Sequence, residues 1–148
     1  MWHAPLTSDL MRGSLQEELP IDPAAGALWT WTVPNFVKVE ILNVRFLYAA
    51  DANVANRYVG LEFRRAGGAI FYRTQATVAQ TAGQARVYHG AQISPAMPLV
   101  YPNSLQIQLP FRNLFLAGYQ IGIYCDGIQV TDQISESAII YLEHGEPG

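Results

Sequence analysis

Lysine is almost missing from this 148-residue chain: Lys38 stands alone, and the other basic residues are scattered arginines. With charged residues at 14% and a formal net charge of −3, no broad positive field exists to hold a phosphate backbone. Nucleic acid is therefore not expected as a partner. Cysteine is equally scarce. Cys125 cannot close an intrachain disulfide, and within the apolar run YQIGIYC it reads as a small buried hydrophobe rather than a nucleophile. A reducing compartment is favoured. Long hydrophobic runs are absent as well, since no stretch approaches the roughly 20 apolar residues of a membrane span. The opening MWHAPLTSDLMRG lacks the basic start and continuous apolar run of a secretory signal, so the chain reads as soluble, with no membrane partner.

What is present is apolar and aromatic. Half of the residues are hydrophobic, which excludes wholesale disorder, and 148 residues make one ordinary domain able to bury roughly two-thirds of its unfolded surface. Residues 1–26 stand apart. Their leucines recur at mixed three-to-five spacings and the segment breaks at Pro20, Pro23 and Gly26, so it reads as an N-terminal arm, extended or with one short helix.

From residue 27 to residue 148 the punctuation is that of a β-sandwich domain. LWTWTV stops at Pro34-Asn35, and FVKVEILNVRFLYAA begins with Val37, Val39 and Ile41 alternating against Lys38 and Glu40. The second half of that run is apolar on both faces, as a strand covered on both sides would be. RYVGLEFRR sets Val59, Leu61 and Phe63 against Tyr58, Glu62 and Arg64, and Ala66-Gly67-Gly68 supplies a hairpin turn into AIFYRTQATV. ARVYHGAQ follows, then a proline-marked loop over 94–103, then SLQIQLP with Leu105, Ile107 and Leu109 inward. YQIGIYC and ESAIIYLE complete about eight short strands, and no amphipathic helix of ten or more residues follows the arm. The expected fold is all-β, an antiparallel β-sandwich or jelly roll, with a closed β-barrel as the alternative.

The stretch most like a chemical site is GIQVTDQISESAIIYLE, residues 127–143. Asp126, Asp132 and Glu136 could converge on calcium, but Ile128, Val130 and Ile134 interrupt the alternate-ligand spacing of a helix-loop-helix calcium loop. Turn chemistry is the stronger reading: Asp126-Gly127 is a turn dipeptide, and Thr131-Asp132 can accept backbone N–H bonds and start the last strand. His3, His89 and His144 show no metal-ligand spacing, and His89 reads as a strand-end residue. No G-x-S-x-G elbow exists for a nucleophile. No catalytic residue, metal or cofactor is expected, and the chain is read as no enzyme. Arg64, Arg65 and Arg73 form the one basic patch, either a solvated edge or an ion-pair site for another subunit facing the acidic segment QEELPID. Trp29, Trp31, Tyr101 and Tyr119, near turns, are aromatics that could stack on sugars.

Surface economy points to association. One lysine, ten glutamines and many aromatics leave too few charges for a freely soluble isolated sandwich, as in proteins whose polar faces are partly buried in oligomers. The arm fits this, since it cannot fold alone and would order by docking through Trp2, Leu6, Leu10 and Leu15.

The aromatic opening strand LWTWTVPN, then NVANRYVGLEF, a late QLP, LAGYQIGI and the terminal DQISESAIIYLE together resemble a group of small tailed-bacteriophage structural proteins, over residues 27–143. The arm lies outside that pattern. The resemblance implies a virion component, a capsid decoration or cement protein: a non-catalytic jelly-roll subunit, commonly a homotrimer, docked on the major capsid protein at the outer capsid surface. It implies synthesis in the host cytoplasm. A head-fibre or tail component is the alternative within that group, and a lectin-like glycan-binding sandwich is the alternative outside it.

Overall fold

A computed structural model describes residues 14–91, 104–110 and 114–145. These contain ten strands, most of them built on alternating apolar residues: β1 (Ser14–Glu18), β2 (Thr30–Thr32), β3 (Val37–Ala49), β4 (Tyr58–Arg64), β5 (Ile70–Gln75), β6 (Ala85–Ala91), β7 (Ser104–Gln108), β8 (Leu114–Phe115), β9 (Gln120–Asp126) and β10 (Gln133–Gly145). They form two open sheets rather than a closed barrel. One has the order β1-β10-β3-β6-β7 with β8 also paired to β3; the other has the order β2-β9-β4-β5. The fold is the expected all-β sandwich, with one departure from antiparallel pairing: β6 and β7 run parallel.

The inward faces follow the period of two. Val59, Leu61 and Phe63 of β4 are fully buried, as expected, and oppose Val44, Phe46 and Tyr48 of β3 across the sandwich. Phe63 stacks on Phe115 with centroids 5.4 Å apart, and burying each such side chain contributes on the order of 2 kcal/mol. Ile107 and Leu109 point inward and Leu105 is half-buried.

The reading of the second half of β3 as covered on both faces is corrected by its register. Asn43 pairs Ile140 while Ile41 pairs Tyr141, so Leu42 is an extra residue, a β-bulge. Inward positions are Val39 and Ile41 before it and Val44, Phe46 and Tyr48 after it. The apolar run is thus one buried face whose phase shifts by one residue, and Leu42, Arg45 and Leu47 stay at least partly in solvent. A second bulge lies on β10, where Glu136 and Ser137 together stand opposite the single residue Phe46 between the pairs Leu47–Ser135 and Arg45–Ala138. Glu136 takes φ 51 there, and Ser137 turns inward to accept the Trp29 indole N–H at 2.8 Å.

In the second sheet the edge strands approach the central strands closely. A Cβ on Gly60 would fall 1.8 Å from the Thr74 carbonyl oxygen, and one on Gly122 would fall 2.9 Å from Thr30 Oγ1. The edge strands β5 and β2 therefore close over the central strands at positions only glycine leaves open.

The expected arm is in part strand. Ser14–Glu18 is extended, one of the two forms expected of the arm, and pairs with β10 from Ser14–Glu143 to Glu18–Ile139. Trp2, Leu6 and Leu10 lie outside the described residues.

Candidate functional site

Three connections meet at one end of the sandwich: residues 50–57 after β3, 76–84 after β5 and 127–132 after β9. Each crosses between the sheets, so each brings backbone polar groups to a place where core side chains also end. One fully buried arginine stands at the centre of the network that satisfies them. Arg57 Nε donates to Asp132 Oδ2 at 3.0 Å, and Nη2 donates to Asp132 Oδ1 at 3.1 Å and Asp51 Oδ1 at 2.7 Å. Nη1 donates to the carbonyls of Asn53 at 3.1 Å and Ala55 at 2.7 Å. These contacts use the five N–H donors of a guanidinium.

Asp132 is equally saturated. Besides Arg57 it accepts the Tyr48 hydroxyl at 2.5 Å and the N–H groups of Asp51 at 2.8 Å and Gln129 at 2.9 Å. Burial alone would push its carboxyl up, but the Arg57, Asp51, Tyr48 and Gln129 hydrogen bonds outweigh it and hold the group at about 2. Asp51 is also held low, chiefly by the Thr131 hydroxyl donating at 2.6 Å. Burial, followed by the bond to Asp132, pushes the Tyr48 phenol far up.

The third connection is tied in by Gln80. Its backbone exchanges two hydrogen bonds with Arg57, its side-chain amide donates to the carbonyls of Tyr48 and Gln84, and its amide oxygen accepts the Tyr88 hydroxyl at 2.8 Å. Burial pushes the Tyr88 phenol up to about 12.

The N–H groups of Arg57 and both carboxylate oxygens of Asp132 are engaged in holding these loops. The expectation that Asp132 begins the last strand by accepting backbone N–H groups matches its placement, while its reach to Arg57 carried no local signal. Asp126 is exposed at the end of β9, and Glu136 is exposed on its bulge, 3.9 Å from Arg45. Among the described residues no three His, Cys, Asp or Glu side chains are grouped to hold a metal ion. Cys125 is buried, with Sγ 3.4 Å from the Tyr48 hydroxyl, and burial raises its thiol pKa. A depression at this end is lined by Val54, Ala55, Asn56, Thr81 and Ala82, none of them charged.

The other proposed contact residues are dispersed. Trp29 is not an exposed sugar platform: it is 6% exposed and belongs to the core. Trp31 is half-buried and packs on Tyr141 at 5.0 Å, and Tyr119 meets Phe71 edge-on. Tyr101 and His3 lie outside the described residues, and His89 sits within β6, opposite Arg45, not at its end. Leu15 is 67% exposed.

Arg64 and Arg73 do cluster, around an acid that the sequence reading placed outward on the same strand but not in the patch. Glu62, nearly buried, is held by Arg64 Nη2 at 2.7 Å and by Arg73 Nη2 at 3.3 Å. Arg73 also lies 4.1 Å from the Tyr124 ring centre, and Arg65 lies over Phe71. Within one chain these arginines do not face QEELPID, which begins on β1 in the other sheet.

No family model matches the chain, and no curated protein matches it. Among solved structures, one described as "Structure of PfGH50B" aligns with 94% of this chain and 23% of that chain, at 14% identity and a TM-score of 0.39. The chain thus spans less than a quarter of that protein, and a likeness at this level carries no argument. Fold and site together define a two-sheet β-sandwich whose buried polar cluster fastens its own loops.

Proposed function

We propose that the chain is a non-enzymatic virion structural protein, a capsid decoration or cement subunit that binds the outer surface of a tailed-phage head as a homotrimer. The sequence resemblance over residues 27–143 supplies the location. The observation that carries the non-catalytic part is the saturation of Arg57 and Asp132: this buried charge pair is spent on fixing three loops. Several large apolar side chains face outward. Leu15, Leu19 and Ile21, at 67%, 64% and 90% exposure, follow one another along the segment that leads from the edge strand toward the second sheet. An isolated sandwich gains nothing from such exposure, whereas a subunit that docks does.

The test is binding to heads of the encoding phage prepared without this protein, measured by co-sedimentation. Saturable binding is expected, weakened at least about tenfold when residues 1–13 are removed, a cut that spares β1. Full-length protein that stays in the supernatant at every concentration overturns the reading.

A further inference from the structure

The sandwich carries opposite charge on opposite edges. At one edge, β1 flanks β10, and residues 16–22 (QEELPID) contain Glu17, Glu18 and Asp22 with no basic residue among them. None of the three makes an ion pair among the described residues. At the other edge, β5 closes the second sheet and lies against β7, the far strand of the first. There Arg64 and Arg73 hold the single acid Glu62 and Arg65 lies over Phe71, so three positive charges meet one negative charge and two are uncompensated locally. β1 and β7 are four strand spacings apart, roughly 20 Å.

Apolar groups accompany both charges. Leu19 and Ile21 flank the acids, and Ile70 and Phe71, 48% and 41% exposed, flank the arginines. An acidic, apolar strap and a basic, apolar edge are complementary surfaces on one molecule that its own fold keeps apart.

We infer that the strap over residues 16–22 of one copy docks on the arginine edge, Arg64, Arg65, Arg73, Ile70 and Phe71, of a second copy. This rests on the reading of the chain as an assembling structural subunit. The contact is head-to-tail, because each copy gives its strap and receives another on a different edge. Such a contact repeats until the ring closes, and three copies make the trimer proposed above. Charge sets the register and partner, and the apolar pairs supply the water-excluded part of the contact.

The experiment is light scattering on the purified full chain at low and high ionic strength, with charge reversals on each side. Glu17→Arg with Asp22→Arg reverses the strap; Arg65→Glu with Arg73→Glu reverses the edge. Arg65→Glu alone leaves both bonds to Glu62 in place and guards against a folding defect, which circular dichroism also monitors. Expected is an oligomer whose dissociation constant rises at least about tenfold in each reversed protein and with added salt, and which recovers when both reversals are combined. A monomeric wild type, an oligomer indifferent to Arg65→Glu and to strap reversal, or a combined variant that stays dissociated overturns the contact. A charge-indifferent oligomer that binds heads leaves the virion reading standing; a charge-dependent oligomer that ignores heads does the reverse.

Discussion

Arg57 and Asp132, 75 positions apart in sequence, are joined by two parallel hydrogen bonds of 3.0 and 3.1 Å with both side chains fully buried. The planar fork of the guanidinium matches the carboxylate, and Asp51 takes the remaining Nη2 proton at 2.7 Å. The pair joins the start of β4 to the start of β10, one strand in each sheet.

Asp132→Ala leaves a buried cation with Asp51 as its one carboxylate partner. A loss of about 3–5 kcal/mol in urea unfolding is expected, because removing one member of a buried pair strands the other. A loss below about 1 kcal/mol would show that the three loops hold without it.

Acid should unfasten the same end. The Asp132 carboxyl sits at about 2 in the folded chain, below its ordinary 3.8, so the unfolded chain binds the proton more readily. That contribution, about 2 kcal/mol, is fully present above roughly pH 5 and is lost as pH falls through 3.8 toward 2. Asp51 is shifted in the same direction. A melting temperature measured from pH 7 to 2 should hold on the high side and fall below about pH 4; a rise on acidification contradicts the assignment.

Gly60→Ala tests the close approach of β5 to β4. With 1.8 Å between the new Cβ and the Thr74 oxygen, β5 must shift, at a cost of roughly 3 kcal/mol or more. Gly67→Ala, where the added Cβ meets nothing within 4 Å, pays only for φ +94, about 1 kcal/mol. Equal losses in the two variants would count against a close approach at Gly60.

Cys125 should be slow to alkylate in the native protein. Its thiol is buried and its pKa raised by that burial, so modification waits for opening of the fold. Iodoacetamide at pH 8 should react at least about a hundredfold slower than in urea.

The strands were legible where alternation was strict. Val59, Leu61 and Phe63 announce β4 and its face, and Leu105, Ile107 and Leu109 announce β7. β3 misleads because the Leu42 bulge shifts the phase, which on paper looks like two apolar faces. β1 was hidden for a different reason: SLQEE is exposed along nearly its whole length, so no buried face writes a period into it. The parallel partnership of β6 and β7 has no local signature either, since pairing direction is decided by where the intervening chain goes. The Arg57–Asp132 pair was invisible because each residue has an adequate local explanation, a strand-start arginine and a turn aspartate. Their meeting depends on three connections sharing one end. Glu62 was read as an outward strand residue; it is nearly buried where Arg64 and Arg73 close over it.

β10 lies between β1 and β3, yet it is synthesised after every other described strand. Until it emerges from the ribosome, β1 has no neighbour, β3 lacks its longest partner, and Asp132 is not there to meet Arg57. The first sheet is therefore completed late, from contacts far apart in sequence, which favours slow folding and leaves sheet edges exposed in the nascent chain. Two bulges then reward only one alignment of β3 with β10, so the last strand enters like a key cut for a single lock position.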